Sequence, residues 1–348
     1  MKLTTTMGIA QNEISPGPKM PHPPLDRDGQ RPPPKGDLLK RSLLVSFAIL
    51  IASACSDGDD TPRPSPESII ITKDVDRFYT LYDETDGRPS AEELQRYIDE
   101  GSSGLKVLAE RRRVTGARIA EAIEASPEIY RNARSCAAAL PAATERLDEA
   151  LARLFELYPQ TRTPAVTIAV GRGKPVGIGY RDTGVQIGLE ALCAAEFLNP
   201  DIEDRFVHVI AHEYVHVQQS EELAARVGGE APTVLDVSLS EGVAEFIGEL
   251  ISGDIAYGSL RGDVAGREEE IERAFLADKD KTDLSDWVYN SAPDTPGDLG
   301  YWVGYRIAKA YYQNTDEKTQ AISDMLELTH PHTFLEASGW YPGIELDR

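Results

Sequence analysis

The sequence has few cysteines, few histidines and a deficit of positive charge. Its 348 residues include 3 Cys and 6 His, and 36 Lys and Arg are outnumbered by 58 Asp and Glu, for a net charge of −22. This balance argues against a nucleic-acid partner, because phosphate binding requires a basic surface. Apolar residues make up 41% and charged residues 27% of the chain. Neither a polytopic membrane protein nor a wholly disordered chain has this composition.

Residues 38–55 have the layout of a secretory signal. Lys40 and Arg41 precede an apolar run of about a dozen residues, which ends in small residues before a cysteine. A bilayer span needs roughly 20 residues, so the run is too short to cross a membrane. We therefore predict, in chain order, a disordered segment or misassigned start, a signal peptide and a tether, at residues 1–37, 38–54 and 55–72.

The end of the predicted signal, Ala52-Ser53-Ala54-Cys55, resembles the bacterial lipobox, in which the cysteine after the cut is lipidated. The motif usually has Leu where this chain has Ala52. An ordinary signal peptide cut near Ala54 is the alternative, but the acidic, Pro-rich residues 56–66 are typical of a tether and favour a lipoprotein. The resemblance implies a protein of the bacterial cell envelope, lipid-anchored to a membrane and facing the periplasm or the exterior.

Two further cysteines, Cys136 and Cys193, remain when Cys55 is acylated. The periplasm and the cell exterior permit disulfides, so these two residues can pair. Two buried thiols are the alternative, since the sequence does not show whether their Cβ atoms meet.

The remainder of the chain predicts an α+β fold that is mostly helical. Helical patterns fill the region 73–160, in which Ser90 and Glu93 form a capping box. After Pro164, short β-branched segments predict a small, partly antiparallel sheet with at least one hairpin. Its three predicted strands are residues 165–170, 176–180 and 185–189.

A buried helix carries the motif on which the functional interpretation depends. Asn199 can cap a helix that runs through about Ser220 and has apolar residues on several faces. Within it, His212 and His216 share one face and can hold one metal ion, with Glu213 projecting beside them. A helix with hydrogen-bonded histidines is the alternative, but a buried carboxylate without a partner or a metal is costly. The spacing therefore predicts a metal site.

A catalytic zinc site needs a third protein ligand, and Glu241 is the best candidate. It stands on the next predicted helix, 25 residues after His216, which leaves room for a loop and an antiparallel return. Small residues at Gly242 and Ala244 would permit close helix approach. Glu245, one turn further on, could accept the other N–H of a ligand histidine, whereas a solvated face is its alternative role.

Residues 212–216 form an HExxH motif, and residues 241–244 read E-G-x-A. This combination is similar to the gluzincin metallopeptidases, whose aminopeptidase-type members have N-E-G-F-A at the second position. The resemblance implies a zincin-like catalytic domain at residues 161–348 that holds Zn²⁺. It implies His212, His216 and Glu241 as ligands and Glu213 as the general base. The longer spacing from His216 to Glu241, and the absence of a G-x-M-E-N motif, depart from those aminopeptidases.

The same enzymes carry a tyrosine in Y-x-K-G that stabilises the oxyanion. Tyr301-Trp302-Val303-Gly304 matches this motif at Tyr and Gly but has Val303 in place of Lys. The resemblance therefore implies Tyr301 in this role, with Tyr305 as its rival. Over about residues 160–315, the whole pattern resembles a bacterial group of predicted Zn-dependent proteases.

The resemblance implies a peptidase that hydrolyses peptide bonds with a zinc-bound water assisted by Glu213. Its partners would be a peptide or protein substrate and, through the lipid anchor, a membrane. A non-catalytic envelope lipoprotein with a structural or vestigial zinc site is one alternative, and a zinc hydrolase of non-peptide amides is another. The presence of Glu213 argues against the first, because ligation alone does not need that residue.

Lipidation of Cys55 can be tested directly. Labelled palmitate should enter the protein, and Cys55→Ser should abolish the label and release the protein from the membrane fraction, because the lipid on this one residue forms the anchor. If the protein takes up no palmitate and Cys55→Ser leaves its fractionation unchanged, a plain signal peptide would be favoured instead.

Overall fold

A computed structural model of the chain describes residues 69–290 and 297–347. The predicted signal peptide, Cys55 and most of the predicted tether lie outside the described residues. Within the described ranges, no helix is long and apolar enough to cross a membrane.

The four strands form one mixed sheet. Its spatial order is β1-β2-β4-β3, in which β1 and β4 run parallel to β2 and β3 runs antiparallel to β4. The strands are β1 Ile70–Ile71, β2 Val166–Ala169, β3 Gly177–Tyr180 and β4 Gly184–Gly188. The predicted α+β class is thereby confirmed, including a small sheet with one hairpin, between β3 and β4.

Strand β1 is a correction to the sequence analysis, which assigned residues 55–72 entirely to the tether. Ile70 pairs with Val166 and Ile71 with Thr167, almost a hundred positions further along the chain. A strand of two residues has no periodicity that a sequence pattern could reveal.

Six α-helices separate β1 from β2. The capping box at α2 is present, since the Ser90 side chain accepts a hydrogen bond from the Glu93 backbone N–H and the Glu93 carboxylate accepts one from Ser90. Buried residues of these helices, such as Phe78 and Leu147, belong to the same core as Ile168 and Phe206 of the later elements. The six helices are α1 Lys73–Glu84, α2 Ala91–Asp99, α3 Ser103–Arg112, α4 Gly116–Ala125, α5 Pro127–Cys136 and α6 Leu140–Leu157.

The part of the chain after the sheet is helical. Its long helices α8, α10 and α13 pack side by side. The elements are α7 Leu189–Ala194, α8 Ile202–Gln218, α9 Glu221–Val227, α10 Val234–Ser252, α11 Leu260–Val264, α12 Glu268–Asp278, α13 Leu299–Asn314, α14 Lys318–Glu327 and α15 Pro331–Ala337.

Helix α8 is buried on most of its faces, but its cap differs from the prediction. The side chain of Asp201, rather than Asn199, accepts the hydrogen bond from the Asp204 N–H. Asn199 instead accepts a hydrogen bond from the backbone N–H of Asp201. Because Asn and Asp are both good caps, local sequence alone did not separate the two positions.

Helices α10 and α13 touch backbone to backbone. A Cβ on Gly304 would lie 1.7 Å from the carbonyl oxygen of Ser238, and a Cβ on Gly242 would lie 2.0 Å from the carbonyl carbon of Gly304. Gly242 thus permits a close helix approach, and the helix that approaches it is α13. The glycine of α10 that faces α8 is Gly248. A Cβ there would be in ordinary van der Waals contact, 3.5 Å from the backbone nitrogen of His212.

A disulfide joins Cys136, the last residue of α5, to Cys193 in α7, with the two Cα atoms 6.1 Å apart. It links the helical region directly to the segment that leads into α8. A covalent link between distant positions reduces the conformational freedom of the unfolded chain.

The contact between α10 and α13 predicts a position-specific effect on stability. Gly304→Ala should lower the free energy of unfolding by about 1–3 kcal/mol or more, because the new methyl group meets backbone atoms that cannot move aside. Urea unfolding followed by circular dichroism measures this change. Gly262→Ala in α11 is the matched control, since nothing lies within 4 Å of a Cβ there and alanine favours a helix. Equal stabilities of the two variants would contradict the proposed contact.

Candidate metal centre

Helices α8 and α10 bring two imidazoles and a carboxylate together. His212 Nε2 lies 3.1 Å from His216 Nε2. Glu241 Oε2 lies 3.2 Å from His216 Nε2 and 3.4 Å from His212 Nε2. These three residues form the only group of potential metal ligands of this kind found within the described ranges. We refer to them as the His-His-Glu cluster.

The spacing and chemistry of the cluster fit a zinc ion. Tetrahedral zinc with bonds of roughly 2.0–2.1 Å to nitrogen and oxygen has ligand atoms about 3.3 Å apart. The three distances in the cluster, 3.1, 3.2 and 3.4 Å, bracket this value. Two imidazole nitrogens and one carboxylate oxygen also form a donor set typical of catalytic zinc.

Glu245 lies behind His212. Its Oε1 is 3.0 Å from His212 Nδ1, although the two atoms are not aligned for a linear hydrogen bond. Its Oε2 accepts a hydrogen bond from the backbone N–H of Ala256. The Glu245 side chain is only 1% exposed, which excludes the alternative of a solvated face.

Gln219 has the corresponding position behind His216 and was not predicted. Its Oε1 accepts a hydrogen bond from His216 Nδ1 at 3.0 Å, while its Nε2 donates to the Ser240 carbonyl at 2.7 Å. The second bond fixes the amide orientation, so Nδ1 of His216 carries a proton and Nε2 is the atom that would bind a metal ion. A glutamine three residues after the second histidine of HExxH was the available signal.

The charges of the cluster stabilise one another. Burial by itself would lower the pKa of His212, but Glu245 and Glu241 outweigh it and raise the pKa to about 10. Burial would raise the pKa of Glu241, yet His216 and His212 hold it well below its usual range. For Glu213, burial dominates and raises the pKa, against the opposing effect of the two histidines. A raised pKa suits a carboxylate that accepts a proton near neutral pH.

Strand β3 lies against α8 at Glu213. A Cβ on Gly177 would lie 2.8 Å from Glu213 Oε1, and a Cβ on Gly179 would lie 2.1 Å from the Glu213 carbonyl oxygen. Gly179 is therefore required for the strand to approach the helix backbone this closely, whereas a side chain at Gly177 would displace the Glu213 side chain. Their role could not be inferred from the sequence, because no local pattern shows which helix packs on a strand.

The two rival tyrosines have different surroundings. The Tyr301 ring is parallel to the His212 ring, at an interplanar angle of 6° and a centroid distance of 6.4 Å. The Tyr305 hydroxyl donates to Glu249 Oε2 at 2.8 Å and accepts a hydrogen bond from Lys309. Tyr301 is thus the one of the pair that contacts the cluster, while Tyr305 belongs to a separate ion-pair network.

Two further tyrosines beside the cluster were missed. The Tyr257 ring lies 5.7 Å from the His212 ring and 5.0 Å from the Tyr301 ring, measured between centroids. The Tyr289 hydroxyl donates to Glu241 Oε1 at 3.2 Å. Burial raises the pKa of Tyr289 well above its ordinary value, so the hydroxyl keeps its proton. Both residues are in irregular segments, where spacing predicts nothing about contacts.

Residues 191–330 match the model of a protein family described as Predicted Zn-dependent protease (DUF2268). This match confirms the resemblance to predicted Zn-dependent proteases. The matched segment contains helices α8 to α14 and therefore the whole His-His-Glu cluster, together with Glu213 and Tyr301. Comparison with curated proteins and with solved structures gave no match.

The cluster predicts a zinc content of one ion per chain. Replacing both His212 and His216 with alanine should abolish zinc binding, because only one ligand is left. Elemental analysis after dialysis measures the bound zinc. His208→Ala is the matched control: its Nδ1 interacts with Ser252 Oγ at 2.8 Å and lies outside the cluster, so zinc should be retained. Stoichiometric zinc in the double variant would disprove the assignment.

Proposed function

We propose that this protein is a zinc-dependent peptidase that hydrolyses peptide bonds. The observation that carries the proposal is the convergence of His212, His216 and Glu241 at tetrahedral spacing, with Glu213 adjacent to the first ligand. The family described as predicted Zn-dependent proteases supports the same conclusion. A zincin-like character for residues 161–348 is part of this proposal.

Zinc, when bound, supplies Lewis acidity that polarises the scissile carbonyl and activates water. Glu213 would accept the proton of the attacking water and return it to the leaving amine. Its side chain is partly buried between α8 and Gly177 of β3, which restricts its motion and favours proton uptake. Ligation requires only the cluster, so Glu213 is the residue that distinguishes a catalytic from a structural zinc site.

Tyr301 would donate a hydrogen bond to the oxyanion that develops from the scissile carbonyl oxygen. Its ring packs on His212 and Tyr257, and these contacts hold it beside the cluster. Burial raises the pKa of Tyr301 well above its ordinary value, so the hydroxyl stays protonated and can act as a donor.

We further propose that the enzyme acts on peptides or proteins in the bacterial cell envelope, anchored by a lipid on Cys55. The disulfide between Cys136 and Cys193 supports an oxidising compartment, because disulfides persist there and are rare in the cytosol. The net charge of −22 supports a function without nucleic acid.

Glu213→Gln should reduce peptide hydrolysis by at least 10²-fold while zinc stays bound, because an amide cannot accept the proton. Cleavage of a peptide library and elemental analysis of the same sample measure both quantities. Glu203→Gln is the matched control, since it makes the same exchange on the same helix at a side chain that is 46% exposed.

Two results would contradict the proposal. Hydrolysis by the Glu213→Gln variant at the wild-type rate would exclude Glu213 as the base. A wild-type protein that holds one zinc but cleaves no peptide of the library, with or without chelator, would favour the non-catalytic alternative.

A further inference from the structure

The two carboxylate oxygens of Glu241 have different partners. Oε2 faces the Nε2 atoms of both histidines, whereas Oε1 accepts the hydrogen bond of the Tyr289 hydroxyl at 3.2 Å. The Glu241 side chain is only 11% exposed, so water has little access to replace this bond. Oε1 therefore faces Tyr289, and Oε2 faces the cluster.

Tyr289 is held in this position by an unusual backbone. Its φ is +59°, in the left-handed region that L-residues with a side chain seldom adopt. The chain on both sides is fixed, since the Trp287 carbonyl accepts a hydrogen bond from Gly300 N–H at 2.8 Å. Asn290 and Asp298 also exchange hydrogen bonds, each backbone N–H donating to the other's side-chain oxygen, at 3.0 and 2.7 Å. Such strained conformations cluster at functional sites.

We propose that Tyr289 is a positioning residue that reserves Oε2 of Glu241 for the metal by holding Oε1. The inference rests on the proposed function, because it assigns Glu241 as a zinc ligand. It goes beyond it by naming the residue that sets the orientation of that ligand.

The physical reason lies in the freedom of a carboxylate. Without the hydroxyl, Oε1 loses its partner in a poorly hydrated site, and the group can rotate so that either or both oxygens face the ion. A catalytic zinc site keeps one position open for water or substrate, and a second carboxylate oxygen would compete for it. The bond from Tyr289 opposes both the rotation and the competition, as outer partners of metal ligands do elsewhere.

The chain offers a matched control for the test. Tyr305 also donates its hydroxyl to a glutamate of α10, in this case Glu249 at 2.8 Å, but outside the cluster. Tyr289→Phe and Tyr305→Phe therefore remove the same atom from the same kind of pair. We expect the zinc Kd of the full chain, measured by chelator competition, to rise roughly 10–100-fold in Tyr289→Phe and to stay unchanged in Tyr305→Phe.

A double-mutant cycle shows whether Tyr289 acts through Glu241. In a Glu241→Ala background, Tyr289→Phe should change the remaining zinc affinity by less than about twofold, because its acceptor is gone. The visible spectrum of the Co²⁺-substituted protein gives a second readout. Intensity should fall in Tyr289→Phe, since coordination by both carboxylate oxygens increases the coordination number.

The outcomes separate this inference from the proposed function. A wild-type chain that binds no zinc would contradict both. A wild type that binds zinc, with unchanged Kd and Co²⁺ spectrum in Tyr289→Phe, would overturn the role of Tyr289 and leave the peptidase proposal intact. The inference would also be overturned if Tyr289→Phe weakened zinc binding equally in the wild-type and Glu241→Ala backgrounds.

Circular dichroism in the presence of chelator checks that the variants fold without metal. If Tyr289→Phe does not fold without metal, Asn290→Ala decides the question. This variant loosens the segment around Tyr289 but keeps the Tyr289 hydroxyl. A raised zinc Kd in this variant supports the inference, and an unchanged one contradicts it.

Discussion

The close approach of the Glu241 carboxylate to two imidazoles is the interaction on which the functional part of the structure depends. The three groups are drawn from two helices and are nearly removed from water. A buried carboxylate is unstable unless positive charge or hydrogen bonds compensate it, and here the histidines supply that charge. The cluster therefore forms only when α8 and α10 have one particular separation and rotation.

Glycines set those distances on both sides of the cluster. Gly177 and Gly179 let strand β3 rest on α8 at Glu213, and Gly304 lets α13 contact α10 at Ser238. The first contact restricts the candidate base, and the second brings Tyr301 to the cluster. A methyl group at Gly179 or Gly304 would meet backbone atoms, so it would displace the strand or separate the two helices.

The polar partners behind the cluster extend the same arrangement. Glu245 lies behind His212, Gln219 behind His216 and Tyr289 behind Glu241, so each member of the cluster has its own neighbour. A ligand with a fixed proton and a fixed orientation loses less freedom when it binds an ion. The three residues of the site are thus supported from three different segments of the chain.

The sequence by itself determined the parts of this protein that depend on short-range geometry. Helical spacing alone places His212 and His216 on one face, and capping rules located α2, because those relations lie within one turn. The pairing of Ile70 with Val166, the contact of Gly242 with Gly304 and the bond from Tyr289 to Glu241 were decided only by the tertiary structure. These contacts join residues far apart in the chain. Their existence depends on the path of the intervening chain, and no local pattern of residues records that path.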